Sequence, residues 1–231
     1  MQETIAEITY RSNESNAEVI DADTGIFSAL ISTEFDGKVV DRIYARAFAN
    51  HKNLNLVSIP YSIKSIELEA FRDCVKLKSI SIPDSISAVG QYAFLNCSLL
   101  ESVSLPCSLD KISNGLFSGC KSLQTISIPD SVTSLGEHAF SYCRSLKEIV
   151  LPDNLQEIRF YAFGCCESLQ IVNIPDNIQI ISKNAFQGCC NIQHVRFSQA
   201  LIDRPDANRI FNQLFNAGLR TREILLRIPL A

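Results

Sequence analysis

The spacing of phenylalanine constrains the fold of this chain more than any other feature. Phenylalanine recurs every 23 residues over most of the sequence, and prolines and cysteines keep the same interval. A fixed period of about 20 to 50 residues indicates a solenoid, in which each unit buries its apolar face only by stacking on its neighbours. We call each 23-residue unit a rung. The residues in register are Phe48, Phe71, Phe94, Phe117, Phe140, Phe163 and Phe186, with Pro60, Pro83, Pro106, Pro129, Pro152 and Pro175.

The apolar pattern within a rung predicts two short extended segments. In a representative rung, Ile126 and Ile128 alternate with polar residues and are followed by Pro129. Such alternation of β-branched residues predicts a strand, and proline ends it because proline has no N–H for the hydrogen-bond ladder. Equivalent strands of successive rungs are expected to stack about 4.8 Å apart in a parallel sheet on one face. A second apolar pair, Val132 and Leu135, predicts a short extended segment and turns on the other face.

Six cysteines form a column three residues after the phenylalanines, and we expect them to be structural. Free cysteine behaves as a small buried hydrophobe with a weak S–H donor, which suits a bond to a carbonyl of the adjacent rung. Disulfides are disfavoured because the rung spacing of about 4.8 Å exceeds the usual Cβ separation of about 3.5–4.5 Å. His51 takes the first position of this column. The cysteines are Cys74, Cys97, Cys120, Cys143, Cys166 and Cys189.

These residues together form the pattern L-x-x-I-x-I-P-x-x-V-x-x-I-x-x-x-A-F-x-x-C, which resembles the BspA-like, or Treponema-type, leucine-rich repeat family. The resemblance covers about residues 38–198 and is specific for the fold. It implies a non-catalytic protein, because members of that family are mostly surface or secreted proteins that adhere to host matrix proteins or to other cells. The sequence departs from the pattern in one column, where glycine remains only as Gly90 and Gly136.

The repeat weakens at both ends, which predicts two caps around one array. Residues 1–37 form an acidic N-terminal cap, residues 38–198 the leucine-rich repeat array, and residues 199–231 a C-terminal capping helix and tail. An amphipathic helix is expected from Asp206 to Ala217, and a strand or turn from Glu223 to Ile228. Alternatively, apolar residues of the C-terminal segment mediate homo-oligomerisation. These are Phe211, Phe215, Ile224, Leu225 and Leu226.

Composition restricts the class of partner. A formal charge of −4 and a pI near 5.4 disfavour nucleic acid, which requires a basic surface. No apolar stretch is long enough for membrane insertion. Residues 1–30 lack the basic start and apolar core of a signal peptide, so none is expected there. The compartment is therefore open, although the resemblance favours an extracellular or cell-surface location.

No residue pattern predicts catalysis, a cofactor or a metal site. His51, His138 and His194 are far apart in the repeat, and no glycine-rich phosphate loop or H-E-x-x-H motif is present. Four cysteines on two adjoining rungs are the strongest metal candidate, but neighbouring residues of extended chain point in opposite directions. Those cysteines are Cys165, Cys166, Cys189 and Cys190. Cys107 replaces a turn aspartate and is the thiol most expected to be exposed.

Outward-facing strand positions indicate where a partner binds. In the middle rungs these positions are mostly serine, whereas from Glu148 onward they become a mixture of apolar and charged residues, which is typical of recognition surfaces. We name this set the late-rung patch. It consists of Glu148, Val150, Ile171, Asn173, His194 and Arg196. The alternative is that these positions drifted and are shielded by the C-terminal cap.

The sequence thus predicts a non-catalytic module that binds a protein or glycan ligand, with a role in cell-surface adhesion or in binding host matrix proteins. Two other functions remain open. One is an intracellular leucine-rich repeat scaffold that regulates another protein, and the other is a structural surface protein that self-associates.

Overall fold

The computed structural model describes residues 2–5 and 8–219. This part of the chain consists of short strands joined by turns, followed by two helices. The strands are β1 (Gln2–Ile5), β2 (Ile8–Ser12), β3 (Ala17–Ala22), β4 (Ser28–Leu30), β5 (Glu34–Phe35), β6 (Lys38–Ile43), β7 (Leu56–Ser58), β8 (Ser65–Ile66), β9 (Ser79–Ser81), β10 (Ala88–Val89), β11 (Ser102–Ser104), β12 (Lys111–Ile112), β13 (Ser134–Leu135), β14 (Glu148–Ile149), β15 (Glu157–Ile158), β16 (Ile171–Ile174), β17 (Ile180–Ile181) and β18 (His194–Phe197); the helices are α1 (Gln199–Ile202) and α2 (Ala207–Asn216).

The strands form two ladders that run along the solenoid, as the period predicts. The first sheet comprises β4, β7, β9, β11, β14, β16 and β18, and the second contains β3, β6, β8, β10, β12, β13, β15 and β17. Partners in the array are 23 residues apart, as in the parallel pair of Ser79 with Ser102. The predicted leucine-rich repeat solenoid is therefore confirmed. The short extended segments expected on the far face pair with one another and make that face a second parallel sheet.

Stacked phenylalanine rings occupy the centre of the array. All seven rings are fully buried, and neighbouring centroids are 5.0–5.7 Å apart with interplanar angles of at most 19°. The backbone supports this stack, because the N–H of Phe117 donates to the carbonyl of Ala139 in the next rung, at 2.8 Å. Alanine precedes the ring in most rungs where the chain passes close to its neighbour. Burial of one such ring stabilises the fold by roughly 1.5–3 kcal/mol.

A strand of the first sheet lies inside the segment predicted to be the N-terminal cap. Ala29 of β4 pairs with Val57 of β7, 28 residues later, so this rung departs from the 23-residue interval. The link from the first sheet to the second is longer here and contains the β5–β6 hairpin. Its two turn residues, Asp36 and Gly37, have φ of 55° and 66°, as a two-residue hairpin turn requires. Upstream, β1, β2 and β3 extend the second sheet as antiparallel neighbours.

Helix α2 closes the last rung and lies at the position predicted for the capping helix. Its apolar face buries Ile210 and Leu214, while the rung below donates backbone N–H groups to its C-terminal end. One such bond joins the N–H of Phe186 to the carbonyl of Ala217, at 2.8 Å. Phe211 meets Phe197 edge to face, with ring centroids 5.1 Å apart. The predicted strand or turn at 223–228, with Ile224, Leu225 and Leu226, lies outside the described residues.

Candidate interaction surface

Three adjacent strands of the first sheet bring the late-rung patch together. Glu148 of β14 is the register partner of Ile171 on β16, which in turn pairs with His194 on β18. In the next outward column, Asn173 pairs with Arg196. Val150 lies at the edge of this group and forms a bridge with Ser127. The intervening inward residues of these strands are buried, so the six patch side chains share the outer face.

The patch combines exposed and half-buried side chains. Glu148 is exposed and Val150 is 62% exposed, whereas Ile171, Asn173, His194 and Arg196 are half-buried. Two atoms within it, Asn173 Oδ1 and Arg196 Nε, are buried without a hydrogen-bond partner among the described residues. One is an acceptor and the other a donor on paired positions. An unsatisfied buried polar group costs roughly 1–3 kcal/mol, so this part of the patch gains most from a polar partner.

A small cavity of about 100 Å³ adjoins the patch at the end of the strands. Asn173 forms one wall, the carboxylates of Asp153 and Asp176 form the rim, and Ser198 closes it by donating its hydroxyl to Asp176. Leu151, Ile174 and Pro175 supply its apolar lining. The cavity is large enough for one side chain and too small for a drug-sized ligand. It therefore extends the patch and does not form a separate ligand pocket.

The opposite end of the first sheet carries a second apolar surface that the sequence pattern missed. We name it the early-rung patch: Phe27, Leu30, Leu56 and Tyr61, which are 62%, 79%, 57% and 71% exposed. Leu56 falls in the 23-residue register, whereas Phe27 and Leu30 precede the irregular link and cannot be aligned by period. The Asp-Gly pair at 36–37 is the signal that would have revealed the longer link, because it is typical of a hairpin turn.

The six cysteines of the column are free thiols that donate to the adjacent rung. Each Sγ lies 3.0–3.3 Å from the carbonyl oxygen of the phenylalanine one rung earlier, as in the bond from Cys120 to Phe94. Burial raises the pKa of these thiols, and it raises that of Cys74 to about 12. A thiol with so high a pKa is a poor nucleophile and a poor metal ligand at neutral pH. His51 heads the column, with Nε2 3.0 Å from the carbonyl oxygen of Ala22.

The remaining cysteines differ in exposure. Cys107 and Cys190 are exposed, Cys165 is half-buried, and Cys166 and Cys189 belong to the buried column. The four thiols considered as a zinc site thus include two that face the core. Within the described part of the chain, no three His, Cys, Asp or Glu residues converge on a position that could hold a metal ion.

One histidine does contact a serine, but the geometry does not activate it. His138 Nδ1 lies 3.1 Å from Ser141 Oγ, and that hydroxyl donates to the carbonyl oxygen of Tyr161 at 2.7 Å. Because the serine proton is already used, Nδ1 acts as the donor in the contact between the two side chains. Ser141 is also fully buried. A nucleophilic serine needs an accessible hydroxyl and a histidine that accepts its proton, and this pair supplies neither.

Comparison with known proteins places the repeat in a bacterial context. The model of the BspA type leucine-rich repeat region matches in six copies, over residues 27–147 and 110–215. A leucine-rich cell surface protein from Faecalibacterium prausnitzii is 28% identical with a TM-score of 0.78, over 85% of this chain and 54% of that one. The leucine-rich repeat protein of T. pallidum is 25% identical with a TM-score of 0.61, over 94% and 98% of the two chains.

A leucine-rich repeat protein from Eubacterium ventriosum shares the fold at 23% identity and a TM-score of 0.72, over 81% of this chain and 49% of that one. The chain therefore spans about half the length of the first and third of these proteins. Comparison with curated proteins gave no significant match. Among the described residues, no helix has the length and apolar character required to cross a bilayer. Since the family model matches most of the sequence, the chain belongs to the BspA-type leucine-rich repeat family.

Proposed function

We propose that this chain is a non-catalytic binding module of a cell-surface adhesion protein and that a protein partner docks on the late-rung patch. The observation that carries this proposal is the change along one face of the first sheet. Middle rungs present short serine side chains there, whereas three adjoining late strands present apolar, acidic and basic side chains together. Partner surfaces depend on such mixtures, in which a few anchors supply most of the binding energy.

The likeness to a cell surface protein supports an extracellular role, and the chemistry of the patch supports a protein ligand. Val150 and Ile171 provide apolar contact area. Asn173 and Arg196 provide one acceptor and one donor that the described part of the fold leaves unpaired. A polypeptide chain offers matching N–H and C=O groups at neighbouring positions, so a single backbone segment can satisfy both atoms. Side-chain adjustment at Arg196 is sufficient to open these atoms to a partner.

The test is a binding measurement against a panel of immobilised extracellular matrix proteins, with cell lysate analysed in parallel. A double variant, Glu148→Lys with Val150→Asp, alters the exposed part of the patch without touching the core. The matched control is Ser102→Lys with Ser104→Asp, which places the same new side chains in the same two columns two rungs earlier. We expect a matrix partner that binds the wild type and the control but binds the patch variant at least about tenfold more weakly.

Two outcomes contradict the proposal. Equal loss in both variants means that the partner reads the middle of the sheet, and no loss in either means that it binds elsewhere. A further variant, Leu30→Ser with Leu56→Ser, then tests the early-rung patch. A partner found only in lysate favours the intracellular scaffold. Light scattering over a concentration series tests self-association, because a mass that rises with concentration and falls on Phe215→Ser identifies a contact through the C-terminal cap.

A further inference from the structure

A polar notch lies on the second sheet, away from both patches of the first sheet. It has a volume of about 170 Å³ and extends over four successive rungs. Its polar side chains come from the ends of β10, β12, β13 and β15 and from the residues that follow them. They are Gln91, Lys111, Ser113, Asn114, Ser134 and Arg159.

The notch exists because one rung has no side chain at its centre. Gly136 lies in the column that holds Ser113 one rung earlier and Arg159 one rung later. A Cβ atom on Gly136 would come within 2.6 Å of the backbone nitrogen of Asn114, so the close approach of the two rungs requires glycine. The gap between the flanking side chains therefore remains open, and the period of the repeat fixes its position.

Hydrogen bonds within the fold hold the notch side chains and leave donors directed outward. Asn114 Oδ1 accepts the backbone N–H of Glu137 at 2.9 Å, which leaves the amide nitrogen of that side chain available. Arg159 uses Nε to bind Glu157 at 3.0 Å and keeps its terminal nitrogens. Lys111 is exposed and makes no ion pair within residues 8–219. The notch is thus rich in donors.

The charge of the lining is opposite to that of the whole chain. Two of the lining residues are cationic and none is a carboxylate, whereas the chain has a net charge of −4. We propose that the notch binds an acidic saccharide, with its carboxylate or sulfate group between Lys111 and Arg159. The side chains of Gln91, Asn114 and Ser134 are donors and acceptors of the kind that bind vicinal ring hydroxyls. The volume fits one sugar residue and its acidic substituent, not a folded protein surface.

The experiment is an NMR titration of the isotope-labelled full chain with three tetrasaccharides: one derived from heparin, one from hyaluronan and a neutral one derived from chitin. We expect chemical-shift changes at the amides of Lys111, Asn114, Ser134 and Gly136 with at least one acidic sugar and not with the neutral one. If only the heparin fragment acts, the bound group is a sulfate; if both act, a carboxylate suffices. Affinity should fall with added salt, since the contact is partly exposed.

The variant for this test is Lys111→Gln with Arg159→Gln, and we expect it to reduce affinity about tenfold or more. Its matched control is Lys121→Gln with Arg144→Gln, because Arg144 forms a comparable exposed ion pair with Glu167, at 3.2 Å. Three results overturn the proposal: no shift at the notch with any acidic sugar, equal binding of the neutral sugar, or equal loss in both variants. An oligoglutamate peptide that shifts the same amides while the sugars do not would assign the notch to acidic peptides instead.

Discussion

The middle rungs and the two ends of the first sheet share one inward pattern and differ in their outward pattern. Inward, Ile80 in the middle and Val195 near the end are both buried in the same column. Outward, Ser102 faces solvent in the middle, whereas Leu56 and Ile171 occupy the equivalent positions towards the ends. Stacking fixes the inward residues because each must fit the rung above and below. The outward residues are not held by this requirement, so their departures from the repeat mark the surfaces available for binding.

The largest expected effect breaks the inward pattern. Phe117 stacks between Phe94 and Phe140 at 5.7 and 5.6 Å, so Phe117→Ala removes a fully buried ring with two ring neighbours. We expect a loss of about 3–5 kcal/mol in the free energy of unfolding, measured by chemical denaturation. Phe186 has one ring neighbour in the described structure, at 5.1 Å, and Phe186→Ala should cost about 1 kcal/mol less. An unchanged midpoint for Phe117→Ala would disprove the role of the stack.

A smaller effect concerns the close approach of two rungs at the notch. Gly136→Ala places a methyl group 2.6 Å from the backbone of Asn114, and neither rung can move without disturbing the ladder. We expect a loss of about 1–3 kcal/mol in thermal or chemical unfolding. Gly25→Ala is the control at the N-terminal end, because its new Cβ would meet only the Asp23 side chain, at 3.3 Å. Equal stability of the two variants would contradict the requirement for glycine.

Thiol reactivity distinguishes the regular column from the departures. Maleimide should label Cys107 and Cys190 in the folded protein and leave the six column cysteines unmodified, because those thiols are buried and burial raises their pKa. Asp84 accepts a hydrogen bond from Cys107 and raises the pKa of its thiol. Asp84→Asn should therefore increase the thiolate fraction and speed the labelling of Cys107 about two- to threefold at pH 7. Mass spectrometry locates the label. Protection of Cys107 in the native chain would contradict its exposure.

The smallest effect concerns the C-terminal cap. Arg204 and Arg209 contact Asp206 at 2.8 and 2.7 Å and lower the pKa of that carboxyl to about 2. Because the folded pKa is lower than the ordinary value near 4, these contacts stabilise the cap above about pH 4 and are lost as the pH falls towards 2. Protection factors for α2 amides, from hydrogen exchange, should decrease across that interval more than those of the middle strands. Asp206→Asn should remove this difference, and its persistence would assign the effect to other groups.

How far the sequence predicted the structure depends on whether a residue repeats. The periodic apolar residues predicted both ladders, and the interval of three residues between Phe117 and Cys120 placed the thiol in a turn next to the preceding rung. The sequence also gathered the late-rung patch on one face, because residues two apart in a strand share a side. It did not predict that the far segments pair into a sheet, since two-residue strands carry too little pattern to distinguish paired from isolated chain.

The irregular regions required the structure. Ala29 pairs with Val57 at an interval that no period indicates, because the hairpin at Asp36 and Gly37 lengthens one link. The early-rung patch follows from that shift. Similarly, the notch depends on side chains from four rungs around Gly136, and their grouping cannot be read from any single repeat.

Sequence alone determined the family, the handover of each strand to the next rung and the identity of the core, because stacking identical units repeats one packing problem and leaves one pattern of solutions. Tertiary structure decided which polar atoms remain unpaired, where the notch opens and which surfaces the two ends expose. Those properties depend on contacts between different rungs at positions where the repeat is broken, and a broken repeat carries no periodic signal.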